Sequence, residues 1–214
     1  MGLLERRDKE KDNRRKSILK SARALFFQKG FHNVTVDEIA KISELGKGSI
    51  YLYFTSKEEI YAQILLDDIG KFNRRAGEIF AAGNGQKPAS VFFADFSCAY
   101  ADFFLQDREL FRILMVYMLQ PERMNLSGEL NPQIVNAYTK SIDMFGRILE
   151  AGAEKKEFPP GINFKQGQYA VWSLLNGIIS LYIFSGTQAK RAEKIRATIK
   201  SALEIFIRGL KQQS

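Results

Sequence analysis

The sequence predicts an all-α protein, and three observations carry that prediction. Apolar residues recur at three- and four-residue spacing along most of the 214 positions, the period of an amphipathic helix. The breaks in that period fall at Gly, Pro and Ser/Thr/Asn residues of the kind that start and stop helices. No stretch combines strict alternation with the turn chemistry of a β-hairpin, and there is no internal repeat and no low-complexity linker.

The first thirteen residues mix both signs of charge and hold almost no apolar residue after Leu4, so an exposed arm, disordered or frayed helix, is expected over 1–13. An arm of this kind can enter a minor groove, although blocks of charge are usually just solvated. From Arg14 a helix follows through Ile18, Leu19, Ala22, Leu25 and Phe26, with Gly30 as its stop; Arg14, Arg15 and Lys16 lie at its start.

Residues 35–57 organise the rest. Thr35-Val36-Asp37-Glu38 has the form of a capping box, so a short helix starts at Thr35, with Ile39, Ala40 and Ile42 as its buried side. Ser43-Glu44-Leu45-Gly46 breaks the period, and a second short helix is expected from Lys47 to Phe54. Ile50 and Phe54, four apart, point into a core; Lys47 with Tyr51, and Ser49 with Tyr53, form the opposite, donor-rich side. A second capping box, Ser56-Lys57-Glu58-Glu59, opens a long helix through Ile60, Ile64, Leu65, Ile69 and Phe72 towards Phe80. The arrangement is a helix-turn-helix.

After a loop over 81–88, Pro88 opens a helix over 91–105 that is apolar nearly all round and so reads as buried. Asp107 and Arg108 begin the next, over 110–119. A loop over 121–130 leads to Asn131-Pro132, read as N-cap and first-turn proline of a helix to about Lys156. Phe158-Pro159-Pro160-Gly161 breaks again, and two last helices, 164–184 and 188–211, form an antiparallel pair. Residues 166–189 carry no charge, long enough for a membrane span, but Gln166, Gln168, Ser173, Asn176, Gly177 and Ser180 interrupt them. Burial between the helix's own domain and a second subunit is the better reading. The last helix carries Ile195, Ile199, Ala202, Phe206 and Gly209 at helical spacing, and Gly177 and Ala202 permit close approach.

The formal charge is +8, with a pI near 9.5, which favours an anionic partner. One cysteine, Cys98, excludes an internal disulfide and fits a reducing, cytoplasmic setting. With one histidine, His32, it leaves no common zinc ligand set, and no cofactor is expected. The charged N-terminus lacks the apolar stretch of a signal peptide. Gly46-Lys47-Gly48-Ser49 fails as a phosphate loop, since Lys41 stands where a glycine is needed and Gly48 where Ser or Thr is. No nucleophile elbow or HExxH helix exists, so no catalytic residue is assigned; Asp95 and Asp102, seven apart, can share a helix face.

In a major groove, Lys47 and Ser49 would reach base edges and Gly48 would allow close backbone approach. Tyr51 and Tyr53 can reach phosphate, sugar or thymine methyl; Thr35 and Lys57 stand at helix starts suited to phosphates.

The run GKGSIYLYFTSKEEIY, with the helix ending Lys-Gly-Phe before it and Thr35-Val36-Asp37-Glu38-Ile39-Ala40, resembles the DNA-binding domain of the TetR family over about residues 15–61. The family's turn usually reads Ala-Gly-Val-Ser. Here Ser43-Glu44-Leu45-Gly46 puts Glu44 where a positive φ is expected and removes the hydroxyl cap. The resemblance implies the same DNA contacts at Thr35, Lys47, Gly48, Ser49, Tyr51, Tyr53 and Lys57. It further implies a ligand cavity within the later helices. The candidate lining is Phe96, Tyr100, Phe103, Met115, Met118, Tyr138, Trp172 and Asn176, with Asp95 and Asp102 as further polar anchors, for an apolar or aromatic small-molecule effector.

The expected organisation is therefore an arm (1–13), a helix-turn-helix domain (14–60) and an effector-binding and dimerisation domain (61–214). The expected function is a regulator, most simply a repressor, that binds a palindromic operator as a homodimer through its last two helices, with no membrane partner. Effector binding would tilt the helix over 56–80 and move the two recognition helices out of register. Two rivals remain open at this stage: an all-α enzyme acting on an apolar substrate, and a helical module at an anionic membrane surface.

Overall fold

The computed structural model describes residues 3–83, 85–119 and 129–211. Among them the chain forms nine α-helices and no strand: α1 (Leu3–Lys29), α2 (Val36–Ile42), α3 (Lys47–Tyr51), α4 (Lys57–Gly83), α5 (Ala89–Gln106), α6 (Arg108–Leu119), α7 (Leu130–Glu154), α8 (Phe164–Tyr182) and α9 (Gln188–Lys211), with a 3-10 turn at Phe31–Asn33. They belong to two compact units, Met1–Asp68 with Arg112–Ile134, and Ile69–Phe111 with Val135–Ser214.

In the first unit, α1 is helical from Leu3, so residues 3–13 of the expected arm belong to this helix. Its residues 5–14 are exposed, and i,i+4 pairs hold this part of the helix, Glu10 to Arg14 and Asp12 to Lys16, both at 2.5 Å. From Ile18 the helix joins the core through Ile18, Ala22, Leu25 and Phe26. It ends at Gly30, whose φ of 77° few side chains tolerate and whose amide donates to the Phe26 carbonyl at 2.9 Å. Asp68 on α4 is buried and paired with Arg23 on α1.

Several local expectations need correction. Ile42 is 53% exposed: the buried positions are Ile39 and Ala40 of α2 with its C-cap Ser43, and a 100° step per residue carries Ile42 off that face. The box at Ser56 is half realised, because Ser56 Oγ accepts from the Glu59 amide at 3.1 Å while Glu59 Oε2 accepts from Thr55 N and Oγ1 at 2.5 and 2.7 Å. Asn131 lies inside the first turn of α7, and its side chain accepts from the Tyr117 hydroxyl instead of capping. Of the loop expected over 121–130, residues 121–128 lie outside the described residues.

In the second unit, α5 follows Pro88, and its first amide, Ala89 N, donates to Glu157 Oε2 at 2.6 Å. Phe92, Phe93, Phe96, Tyr100, Ala101 and Phe104 bury one side, whereas Val91 is 47% exposed, so α5 is one-sided and not buried all round. Both α5 and α8 pack on α9. Asn163 caps α8, accepting from Gln166 N at 3.0 Å. Buried Arg191 closes the turn between α8 and α9 by donating to the carbonyls of Ser185 and Gly186, at 3.1 and 2.8 Å. Asn73 Nδ2 donates to the Ala137 carbonyl at 2.8 Å, and the Ser141 hydroxyl donates to Asn73 Oδ1 at 2.6 Å, which ties α7 to the second half of α4.

Gly152 on α7 lets Phe158 fold back against the helix: a Cβ there would stand 2.2 Å from the Phe158 ring and 2.9 Å from Ala89 Cβ. Gly152→Ala should destabilise the protein by about 1–3 kcal/mol. Gly77→Ala, on an exposed position of α4 with nothing within 4 Å, should be neutral or stabilising by up to about 1 kcal/mol. Urea denaturation of the two variants measures both signs.

Candidate nucleic-acid interface

The recognition element is short, so its neighbours must orient it. Thr35 caps α2 as its sequence requires: Thr35 Oγ1 accepts from Glu38 N at 3.2 Å and Glu38 Oε2 accepts from Thr35 N at 2.9 Å. Glu44 then takes the left-handed conformation, φ 56°, and the Leu45 amide donates to the Ala40 carbonyl at 2.9 Å, which fixes the bend into α3. Gly46 is the N-cap of α3 and supplies no side-chain bond. The helix closes at Tyr51, with Phe54 N still donating to Ile50 O at 3.0 Å, so Tyr53 sits in the turn after it. Fully buried Ile50 and 2% exposed Phe54 anchor this short helix, as expected.

The outer face differs from the expected one in its centre. On a helical wheel Gly48 and Leu52 stand opposite Ile50, with Lys47 and Tyr51 on one flank and Ser49 and Tyr53 on the other. Exposure follows that order: Leu52 is 79% and Tyr51 47% exposed, Lys47 and Gly48 are exposed, and Ser49 and Tyr53 are half-buried. Leu52 was missed by reasoning that looked for polar residues; its place four after Gly48 was the available signal. Lys47 Nζ lies 2.7 Å from Asp37 Oδ2, and that carboxylate raises the lysine's pKa. A DNA phosphate or base must compete with Asp37 for this ammonium.

Two expected phosphate contacts have partners inside the domain. Lys57 Nζ donates to the carbonyls of Phe31 and Val34, each at 2.9 Å, and stands 4.3 Å from the centre of the Phe31 ring. Thr35 engages Glu38 through both its amide and its hydroxyl. Arg15, one of the three cations that the sequence places at the start of the first helix, covers the Phe54 ring at 5.2 Å and so lies beside the end of the α3 turn.

Of the residues expected to line a ligand cavity, the second unit brings together Phe96, Tyr100, Phe103 and Asn176. Phe96 and Tyr100 contact the Phe145 ring at 5.2 and 5.8 Å, and Phe103 contacts Phe72 at 5.0 Å. The Tyr100 hydroxyl donates to Asn176 Oδ1 at 3.1 Å, and Asn176 Nδ2 donates to the Trp172 carbonyl at 2.7 Å. Burial pushes the Tyr100 hydroxyl pKa far above its usual range, so it remains a neutral donor. Tyr138 and Trp172 are half-buried in the same unit, whereas half-buried Met115 and Met118 belong to the first. Asp95 and Asp102 are corrected as anchors: they pair near the surface with Lys87 at 2.6 Å and Arg196 at 2.9 Å. Among the described residues no three His, Cys, Asp or Glu side chains gather to hold a metal ion, and no helix is long and apolar enough to cross a membrane.

Comparison with known proteins follows the same division. The family profile described as "Bacterial regulatory proteins, tetR family" matches residues 18–64. The Fatty acid metabolism regulator protein of Bacillus subtilis is 24% identical over 204 residues, spanning 94% of this chain and 98% of that protein. The HTH-type transcriptional repressor KstR2 of Rhodococcus jostii is 28% identical over 157 residues, 72% of each chain. The crystal structure of the transcriptional regulator FadR from Bacillus subtilis in complex with stearoyl-CoA shares the fold, with a TM-score of 0.69 at 21% identity over 90% of this chain and 97% of that one.

The capping geometry has a pH signature. The Lys29 ammonium, 2.6 Å from Glu38 Oε1, and the Thr35 amide lower the Glu38 pKa from the ordinary 4.5 to about 2. Because the folded pKa is depressed, this contribution is present above the unfolded value and is lost as pH falls from about 4.5 towards 2. Glu38→Gln should flatten the acid dependence of stability in that window, as read by denaturation at stepped pH. Lys57→Ala should lower stability by about 1–2 kcal/mol, because two carbonyls lose a charged donor; urea unfolding measures it.

Proposed function

The chain belongs to the TetR family of transcriptional regulators, and on that premise we propose how its parts divide the work. α3 enters the major groove of an operator. Lys47 and Ser49 donate to base edges, Gly48 allows close approach, Tyr51 and Tyr53 hold phosphate or sugar, and Leu52 packs on thymine methyl groups. The observation that carries this reading is the outer face of α3, exposed at Lys47, Gly48, Tyr51 and Leu52 and anchored beneath by buried Ile50 and Phe54. Thr35 and Lys57 act mainly by holding α2, α3 and α4 in place, given their internal bonds.

Two copies act together, and the proposed contact is the outward face of α8 and α9. Ser173 and Gly177 are exposed there, as are Leu181 (69%), Phe184 (57%) and Ile205 (73%), a small and apolar surface that a second copy would cover. The effector is apolar or aromatic and enters among Phe96, Tyr100 and Phe103, where rings already in contact must turn to admit it. Asn176 is the polar anchor. A long-chain acyl thioester is the first ligand to try, since a structure of this fold holds stearoyl-CoA. Binding is read out along α4, whose residues 57–68 belong to the first unit and 69–83 to the second.

Selection of random duplex DNA by the full chain across a salt series should recover an inverted repeat. Lys47→Ala should relax preference at particular bases, and Asp37→Asn, which frees the Lys47 ammonium and removes a like charge from the phosphates, should tighten binding about 2- to 10-fold. Retention of sequence-independent duplexes alone would overturn the operator reading. A long-chain acyl-CoA at 100 times its Kd should stabilise the protein by about 2.7 kcal/mol and release it from the recovered duplex, whereas free CoA should do neither. An unchanged melting curve would overturn the acyl proposal and leave the operator reading standing.

A further inference from the structure

We infer that the exposed first half of α1 is a second DNA-contact site, in which Arg7, Lys11 and Arg14 grip the phosphates flanking the base pairs read by α3. The inference rests on the operator reading above and extends it to a segment that the family profile, which begins at residue 18, does not cover.

The stripe is set by helical geometry. α1 is one helix from Leu3 to Lys29, and Arg7, Lys11, Arg14, Ile18, Ala22 and Leu25 follow one another at steps of three and four residues. Ile18, Ala22 and Leu25 are the positions by which α1 packs into the core of the first unit, where it meets α2. The same side of the helix, continued beyond that core, carries cations. A merely solvating charge pattern has no reason to keep them on the core-facing line. Of the acids of this segment, Glu5, Asp8 and Asp12 occupy other lines of the helix, and Glu10 flanks the stripe, where it pairs with Arg14. Arg7, Lys11 and Arg14 are all exposed, and among the described residues only Arg14 of the three has a carboxylate partner, Glu10.

Position follows from Arg15, which covers Phe54 and so places that turn of α1 beside the end of α3. At 1.5 Å per residue, Lys11 lies about 6 Å and Arg7 about 12 Å further along the axis. A major groove is about 12 Å wide, so a duplex seated on α3 brings a bounding phosphate strand to this distance. Phosphates take Lys and Arg without regard to base, so the stripe adds affinity and salt dependence, not sequence preference.

The test uses the full chain and the duplex recovered by selection. The variant R7Q/K11Q/R14Q is compared with R6Q/K9Q/K16Q, which removes the same charge from other lines of the same helix. Binding is measured from about 50 to 200 mM salt. The stripe variant should bind about tenfold or more weakly, with the slope of log K against log salt reduced by about 2 to 3 and base preference unchanged. The off-stripe variant should stay within about twofold of the wild type. R7K/R14K should restore binding, which separates lost phosphate contact from a damaged helix. Equal losses in the two triple variants would show a net-charge effect and overturn the stripe. Wild-type affinity in the stripe variant, with Lys47→Ala still losing base preference, would overturn it while the α3 reading stands. Failure of the wild type to select any duplex would overturn both.

Discussion

The ammonium of Lys57 holds the first unit closed. It takes the carbonyls of Phe31 and Val34 and lies over the Phe31 ring, so the start of α4 is fastened to the turn between α1 and α2. That turn is itself wedged in place, for Phe31 contacts Phe26 at 5.5 Å and Tyr61 at 4.6 Å. With both ends of the α2–α3 pair so tied, a five-residue helix that could not persist alone presents a defined face. The residue that looked like a phosphate contact thus acts one step earlier, on the geometry that makes contact possible.

The reading face is also electrostatically restrained. Lys47 is held by Asp37 and Thr35 by Glu38, so both exchange an internal partner for DNA or keep it. On the reading proposed above, such exchange lowers the affinity available to any duplex, and with it non-specific binding, and leaves Ser49 and Leu52 to discriminate beside Lys47. The second unit shows a comparable economy. Its aromatic side chains pack on one another, and the Tyr100–Asn176 bond supplies a polar element within that packing. An apolar ligand would replace ring contacts with contacts of the same kind, which keeps the cost of opening small.

How much was legible follows from the range over which each feature is determined. The helices, the capping box at Thr35 and the buried Ile50 and Phe54 depend on residues within one or two turns, and sequence shows those directly, whereas the left-handed Glu44 is expected only from the likeness of its turn to the family's. Lys57 and Asn131 were not legible as they stand, because their partners, two carbonyls and a tyrosine hydroxyl, are brought close only by folding. The exposure of Ile42 and Leu52 was legible in the wheel and was overlooked in favour of residue type. Asp95 and Asp102 shared a helix face as read, but the cations that pair with them come from Lys87 and from α9.

The central claim is that α3 reads bases in the major groove of a two-fold site. Dimethyl sulfate protection reports on guanine N7, which lies in that groove. On a duplex recovered by the full chain, the account predicts protected guanines in two inverted half-sites, spaced about 34–36 Å or a multiple of it along the helix. Protection at a single unrepeated position, or unprotected guanines under saturating protein, would contradict it.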